Sequence, residues 1–287
     1  DGLAACAPDA LSETPGNGGA PRVVSLNPCL DAILVEVADP AQILALSHYS
    51  ANPQSSSIPQ DVARRHDVTG GTVEEVLALE PDIVLASTFI APATRAAFDH
   101  LGVRVETFGS PATVEESIAQ ISEVARLVKR STAGEALAAT LRDAVSTNDI
   151  DAQKSAVLWQ PGGIVPGDQQ LISELLRAAG FSSHSAKLGL GQADFLSLEQ
   201  VLADPPDVLL VAGKSRAQQH PALAEIDTLV AEFDPALLYC GGPTIPRAME
   251  RLRQIHSEVR PREDADLSPL STRPMTGGSR LRGSAQL

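Results

Sequence analysis

Short apolar runs alternate along the chain with segments in which apolar residues recur every three or four positions. The runs are rich in Val, Ile and Leu and predict seven strands, over residues 22–26, 43–47, 83–87, 103–107, 156–159, 208–212 and 237–240. Most of the segments between them have helical spacing. Strands that alternate with helices in this way predict βαβ units and mostly parallel sheets, and therefore an α/β fold.

The longest helical pattern covers residues 113–145, where Ile118, Ile121 and Val124 recur at a spacing of three. Gly134 lies inside this pattern, so the residues are compatible with one long helix or with two. The segment falls near the middle of the folded region, where a connector between two α/β lobes would lie.

An internal repeat supports two lobes. Residues 73–87 (VEEVLALEPDIVLAS) and 198–212 (LEQVLADPPDVLLVA) are identical at seven of fifteen positions, at an offset of 125. Each copy begins with the S/T-x-x-E/Q pattern of a capping box: Thr72 with Glu75, and Ser197 with Gln200. Pro-Asp then ends each predicted helix and an apolar strand follows. Two lobes built on the same helix-to-strand unit explain the repeat, although this order is also common in α/β proteins.

The two ends of the chain differ in composition from the middle. Residues 1–20 are rich in Gly, Pro and small residues and are expected to form a flexible leader. Residues 261–287 contain few apolar residues, and these recur with neither a helical nor a strand period. The segment is expected to form a disordered tail. Between them we predict an N-terminal lobe over residues 21–111, a connecting helix over 112–148 and a C-terminal lobe over 149–260.

The chain is acidic. Lys and Arg number 22 and Asp and Glu number 36, which gives a net charge of −14. A general nucleic-acid binder is excluded, because it needs cationic surface to replace phosphate counterions. The same charge argues against electrostatic attachment to an anionic membrane. Aromatic residues make up only 3% of the chain, which argues against a site built from a broad aromatic platform.

The chain has three cysteines, Cys6, Cys29 and Cys240, and no Cys-x-x-Cys. This number and spacing predict neither a disulfide framework nor a zinc ribbon. The first twenty residues lack the apolar core of a signal peptide, so the chain is either cytoplasmic or a mature form whose signal has been removed. The sequence LAAC ending at Cys6 fits the lipobox of bacterial lipoproteins, or is a chance match in an Ala-rich leader.

Motifs for common enzyme chemistry are absent from the sequence. It contains no G-x-x-x-x-G-K-[ST] loop for a triphosphate, no H-E-x-x-H for zinc and no G-x-S-x-G nucleophile elbow. The six histidines are scattered, and no two of them have metal-ligand spacing on one element. We therefore predict no catalytic residues and no metal ligands.

Polar and aromatic residues follow the predicted strands, where α/β proteins bind their ligands. As a set they predict the lining of a cleft between the lobes, whereas each one alone is also compatible with ordinary loop packing. The candidates are Asn27, Cys29, His48, Tyr49, Asn52, Arg64, Thr69, Thr88, Phe89, Trp159, Gln160, Phe195, Tyr239 and Gly241.

Three segments resemble a known family: PRVVSLNPCLDAILVEVADPAQILALSHYS, GGTVEEVLALEPDIVLAS and LSLEQVLADPPDVLLVAG. They are similar to the solute-binding proteins of ABC importers for cobalamin and ferric siderophores, over about residues 21–258. The resemblance implies two α/β lobes of the class III periplasmic-binding-protein type, joined by a long helix, with the ligand in the cleft between them. It also implies a periplasmic monomer without enzymatic activity or cofactor, either free or lipid-anchored through Cys6.

The resemblance further implies a partner, the permease of an ABC importer with its ATPase. One glutamate on each lobe is expected to dock on permease arginines, and by position these are Glu74 and Glu199. Both lie near the second position of a predicted helix, where the helix dipole stabilises a carboxylate by about 0.3–1 kcal/mol. The helix position alone therefore also explains the residue type.

The ligand that the resemblance favours is a corrinoid of the vitamin B12 type. Cobalamin sites of this family usually contain aromatic rings, whereas this chain has Val68 and Asn52 at two places where a ring would be expected. A ferric siderophore is an alternative, and its site would use Trp159 together with Arg64 or Arg65.

Two further alternatives stay open. A haem site would use His48, Tyr49 or Tyr239 as the iron ligand. A metal-cluster protein or enzyme on related lobes would use Cys29 and Cys240 as thiolate ligands, since both lie at or just after strand ends.

Overall fold

The computed structural model describes residues 19–146, 154–238 and 240–259. Cys6, Tyr239, the predicted tail and all but the last two residues of the predicted leader lie outside the described residues. Within the described ranges, no helix combines the length and the apolar character needed to cross a bilayer.

The N-terminal half forms a sheet of five parallel strands in the order β3-β2-β1-β4-β5. The strands are β1 (Val23–Ser25), β2 (Ile43–Ser47), β3 (Val68–Thr69), β4 (Ile83–Ser87) and β5 (Val105–Phe108). The helices between them are α1 (Pro28–Val37), α2 (Gln60–Ala63), α3 (Val73–Ala78) and α4 (Pro92–His100). Helix α1 begins directly after β1, because the Asn27 side chain accepts from two backbone N–H groups and Pro28 occupies the first helical position.

The connector between the two halves consists of two helices, α5 (Val114–Leu127) and α6 (Ser131–Val145), that pack against each other. Two helices therefore take the place of the single long helix that the resemblance implies. The break falls at Lys129, whose φ of 58° lies in the left-handed region. It does not fall at Gly134, which lies inside α6 against Ala125 of α5, where a larger side chain would overlap.

The C-terminal half forms a sheet of four parallel strands in the order β11-β10-β6-β8, and a separate antiparallel pair, β7-β9. The strands are β6 (Lys154–Trp159), β7 (Ile164–Val165), β8 (Phe181–Ser183), β9 (Asp194–Phe195), β10 (Val208–Val211) and β11 (Leu229–Glu232). The helices are α7 (Leu171–Ala178), α8 (His184–Lys187), α9 (Leu198–Ala203) and α10 (Thr244–Glu258).

One predicted strand is wrong. Residues 237–240 were expected to close the sheet, but Pro235–Leu237 form a 3-10 helix that Asp234 caps through the N–H of Ala236. The strand at this edge is β11 instead, eight residues earlier in the chain. The Asp-Pro pair starts a helical turn here, and Leu237 and Leu238 do not pair with β10.

The two copies of the sequence repeat form the same unit, since α3 leads into β4 as α9 leads into β10. The capping box predicted at Ser197 and Gln200 is complete. At the other copy, Thr72 caps the N–H of Glu75, but the Glu75 carboxylate binds Thr69 and Gly70 instead of completing the box.

One hydrophobic core runs through both halves. It contains Leu85 of β4, Ile121 of α5, Leu141 of α6, Leu158 of β6 and Leu252 of α10. Helix α10 packs on α6 and α7, and α1 packs on α5 and α6, so a layer of helices joins the two sheets. A shared core of this kind favours small movements between the lobes.

Candidate ligand-binding site

A cavity of about 320 Å³ lies between the two lobes. Asn27 and Phe108 line it from the carboxyl ends of β1 and β5, and Gln160 lines it from the carboxyl end of β6. Gln120 of the connector contributes to the same wall. The cavity therefore lies at the carboxyl edge of both sheets, where α/β proteins place their ligands.

The polar groups of this cavity are mainly amides. They are the side chains of Asn27, Gln120, Gln160, Gln170 and Gln192. Within the described part of the chain, no lining residue carries a side chain that is charged near neutral pH. The remaining wall is largely apolar, with Phe108, Leu158, Ile164 and Leu171 among its residues. The cavity suits a ligand that offers neutral hydrogen-bonding groups and apolar surface.

Three of the glutamines leave their amide groups available. Gln160, Gln170 and Gln192 make no side-chain hydrogen bond to the described protein atoms. By contrast, Gln120 donates to the carbonyl of Gly109 at 2.9 Å, and Asn27 caps α1. An unpaired amide at a cavity wall can donate and accept at once, so these three side chains can each bind a ligand amide.

A disulfide between Cys29 and Cys240 forms part of the cavity wall. It joins the first turn of α1 in the N-terminal lobe to the segment before α10, with a Cα–Cα distance of 5.1 Å. The sequence-based prediction of no disulfide is therefore wrong, and so is the alternative in which Cys29 and Cys240 bind a metal as thiolates. The bridge closes a separation of 211 residues, which only the tertiary fold brings together.

An aromatic pair lies beside the main cavity. His48 and Tyr49 follow β2, and their ring centroids are 4.1 Å apart. Together with Thr69 they line a second cavity of about 200 Å³. Tyr49 is 47% exposed and also shares a hollow with Cys29, next to the main cavity. The Thr69 hydroxyl donates to Glu75 at 2.9 Å, so it holds the N-terminus of α3.

Trp159 does not contact the cavity. Its side chain is 1% exposed in the core of the C-terminal lobe, and its indole N–H donates to the carbonyl of Leu196 at 2.8 Å. Successive side chains of a strand point to opposite faces of the sheet. The neighbouring Leu158 lines the cavity, so Trp159 faces away from it.

The other predicted residues divide between the cavity, its neighbourhood and the outer surface. Gly241 lines the main cavity. Phe195 does not line it, but pairs across β7 and β9 with Ile164, which does, and is 56% exposed beside Gly163. The remaining candidates in the described ranges are exposed and do not line the main cavity: Asn52, Arg64, Thr88 and Phe89.

The sequence did not single out Gln120, Gln170 and Gln192. Gln120 lies inside α5, Gln170 precedes α7, and Gln192 lies in the loop before β9, so none follows a strand of the parallel sheets. A search restricted to strand ends therefore misses them. Phe108 directly follows the predicted strand at 103–107, so the strand-end criterion could have found it.

Glu74 and Glu199 occupy equivalent places on the two lobes. Each is the exposed second residue of its helix, α3 or α9. Each helix leads into the amino end of the parallel strand that follows it, and therefore runs antiparallel to that strand. Its first turn thus lies at the carboxyl edge of the sheet, which is also where the cavity lies. Its own backbone N–H and the Ser197 hydroxyl lower the pKa of Glu199, so this carboxylate is ionised at neutral pH.

The sequence is similar to that of known binding proteins. Residues 23–230 match the sequence profile of the periplasmic binding protein family. The cobalamin-binding protein of Halobacterium salinarum is 26% identical over 201 residues, which cover 66% of this chain and 53% of that protein. The match therefore spans about half the length of this curated relative.

Solved structures share the fold. The apo form of the periplasmic haem-binding protein RhuT from Roseiflexus sp. RS-1 aligns with a TM-score of 0.63 and 22% identity, over 83% of this chain and 97% of that chain. The periplasmic vitamin B12 binding protein BtuF of Vibrio cholerae aligns with a TM-score of 0.64 and 20% identity, over 84% of this chain and 98% of that chain. At these identities the likeness shows a common fold alone.

Proposed function

The chain belongs to the periplasmic binding protein family, whose members are solute-binding proteins and not enzymes, and from this we propose that it is the solute-binding component of an ABC importer and binds a corrinoid between its lobes. The observation that carries the choice of ligand is the uncharged, amide-rich cavity. A corrinoid of the vitamin B12 type carries primary amides around its ring. Haem carries two carboxylates, and ferric siderophores are commonly anionic, so both favour a cationic wall.

The ligand is expected to extend beyond the cavity. Sites for drug-sized ligands have volumes of roughly 300–1,000 Å³, and a corrinoid is larger than such ligands. The cavity of about 320 Å³ therefore holds only part of it. Tyr49, Ile164 and Phe195 present partly exposed apolar surface, since Tyr49 adjoins Cys29 and Phe195 adjoins Ile164 of the cavity wall, and a corrin face can pack against it.

The amide side chains provide a direct test. We expect Gln160→Leu and Gln170→Leu each to weaken cyanocobalamin binding by about tenfold, because each leaves a ligand polar group without its hydrogen bond. Gln254→Leu, on the exposed face of α10, is the matched control and should leave the affinity unchanged. Equilibrium dialysis with each variant measures the affinity. Unchanged affinity in both cavity variants contradicts the amide-recognition proposal.

Haem is the second candidate, and the His48–Tyr49 pair beside the cavity favours it. If haem is the ligand, His48→Ala together with Tyr49→Phe should change the Soret band of bound haem, because an axial ligand is lost. If a corrinoid is the ligand, the same double variant weakens binding without changing the corrin spectrum.

We propose that Glu74 and Glu199 dock the loaded protein on basic residues of the permease. Their equivalent, exposed positions on the two lobes support this role. Glu74→Arg combined with Glu199→Arg should abolish uptake and leave ligand affinity unchanged. Glu115→Arg, at the second position of α5, is a matched control that should transport normally. Normal uptake by the double variant contradicts the docking role.

The protein is proposed to act in the periplasm. The Cys29–Cys240 disulfide supports this location, because such bonds persist in oxidising compartments and are rare in the cytosol. Lipidation of Cys6 stays a prediction, and mass spectrometry of the protein purified from its native membrane fraction would test it.

A further inference from the structure

A fully buried carboxylate, Asp31, lies in α1 behind the cavity wall. Its Oδ2 atom accepts three hydrogen bonds. The donors are the Ser47 N–H at 3.0 Å, the Ser47 hydroxyl at 2.5 Å and the Ser50 hydroxyl at 2.6 Å. Its Oδ1 atom has no hydrogen-bond partner among the described residues.

These bonds connect two parts of the ligand site. The first turn of α1 contains both Cys29, which contributes to the cavity wall, and Asp31. Ser47 and Ser50 flank the aromatic pair His48–Tyr49. Asp31 is thus the direct link between the helix that forms the wall and the turn that carries the rings.

We propose that Asp31 is a positioning residue, which in its ionised form fixes the His48–Tyr49 pair against the ligand, so that the ligand is held more tightly when Asp31 has lost its proton. This inference rests on the proposed ligand-binding function. Hydrogen bonds to an ionised acceptor are stronger than those to a neutral one, and here three converge on one oxygen. Oδ1 makes no hydrogen bond in the structure, so the bonds that Oδ2 accepts hold the turn, and protonation weakens them.

The surroundings place the titration of Asp31 in an accessible range. Burial raises its pKa to about 7, and the hydroxyls of Ser25, Ser47 and Ser50 only partly offset this effect. The groups that face Asp31 from β1, β2 and the turn are these uncharged hydroxyls. His48 is also titratable and lies on the same turn, so a His48→Gln variant is needed to separate its contribution.

The variant that tests the proposal is Asp31→Asn. Its amide oxygen can accept the same three hydrogen bonds without a charge, as the protonated carboxyl does. For the wild-type protein, we expect cyanocobalamin affinity to rise about tenfold between about pH 5.5 and 8.5. Asp31→Asn should keep the wild-type acid value throughout. His48→Gln should bind more weakly at every pH but still show a rise, and the exposed control Asp99→Asn should behave as the wild type. A wild-type rise that Asp31→Asn retains overturns the proposal.

A second measurement needs no ligand. Amide hydrogen exchange of residues 47–52, corrected for the intrinsic effect of pH, reports how firmly the turn is held. We expect these amides to be less protected from exchange in Asp31→Asn at pH 8 than in the wild type. We expect the same of Ser50→Ala, which removes one hydrogen-bond donor to Asp31 and replaces Asp31→Asn in the test if that variant does not fold. If the wild-type protein binds no cyanocobalamin, the proposed ligand is wrong. Hydrogen exchange alone then tests whether Asp31 anchors the turn. Unchanged protection in both variants overturns it.

Discussion

At the residue scale, Asp31 has opposite effects on the turn and on the fold. Its ionised form holds the turn, but burying that charge is costly, which is why the pKa rises from 3.8 to about 7. The folded state therefore binds the proton more tightly than the unfolded chain. The contribution of Asp31 to stability is complete below about pH 3.8 and is lost as pH rises towards 7.

We predict that Asp31→Asn raises the free energy of unfolding relative to the wild type by more at pH 8 than at pH 5. The reason is that the wild type buries a charge at this position only at the higher pH. The gain over the wild type should grow by roughly 2–3 kcal/mol between these pH values. Urea unfolding at both pH values measures it, with Asp99→Asn as the control. A difference that does not grow with pH contradicts the assigned protonation of Asp31.

Single residues were predictable where strand position alone decides their place. Asn27 and Gln160 follow strands, and both line the cavity. Trp159 was misplaced because the alternation of faces within β6, and not its place near the strand end, decides where it points. Asp31 was not singled out, because only the tertiary fold brings Ser47 and Ser50 to it.

At the element scale, the close packing of α5 on α6 depends on Gly134. Its hydrogen faces the Ala125 side chain, and a Cβ there would overlap it. Ridges of one helix can approach another this closely only where a side chain is missing.

We predict that Gly134→Val lowers the free energy of unfolding by about 1–3 kcal/mol, because the added methyl groups push the two helices apart. Glu135→Val, at the next and exposed position of α6, is the matched control for the helix propensity of valine. Denaturant unfolding compares the two variants. Equal effects would mean that the α5–α6 contact does not depend on this glycine.

Elements with a clear period were predicted well, and short or irregular ones were not. Strands β2 and β4 have the predicted bounds. Strand β8 has only three residues, which are too few to show a recognisable strand pattern in the sequence. The division of the connector at Lys129 also left no signal, because the helical spacing continues across it.

At the scale of the whole molecule, the disulfide and the shared core hold the lobes together. Hydrogen bonds cross between the lobes beside the cavity, where the Ser57 hydroxyl donates to the Ala236 carbonyl at 2.9 Å and Arg247 donates to the Ser57 carbonyl at 3.0 Å. Neither the bridge nor these bonds could be predicted from the sequence, because their partners are distant in the chain.

We predict that Cys29→Ser combined with Cys240→Ser lowers the free energy of unfolding by about 2–5 kcal/mol, because the bridge closes a very long loop in the unfolded chain. Thermal and urea unfolding measure the loss. Cys6→Ser, which leaves the bridge intact, is the control. A double variant as stable as the wild type would show that the shared core alone joins the lobes.

The most direct test of the central claim is the spectrum of ligand that the protein retains. The purified chain is mixed with equal amounts of cyanocobalamin, haemin and a ferric siderophore, desalted, and its visible spectrum recorded. An uncharged, amide-lined cavity predicts corrin absorbance at roughly one ligand per chain. A retained Soret band, a siderophore band or a colourless protein fraction would contradict the corrinoid assignment.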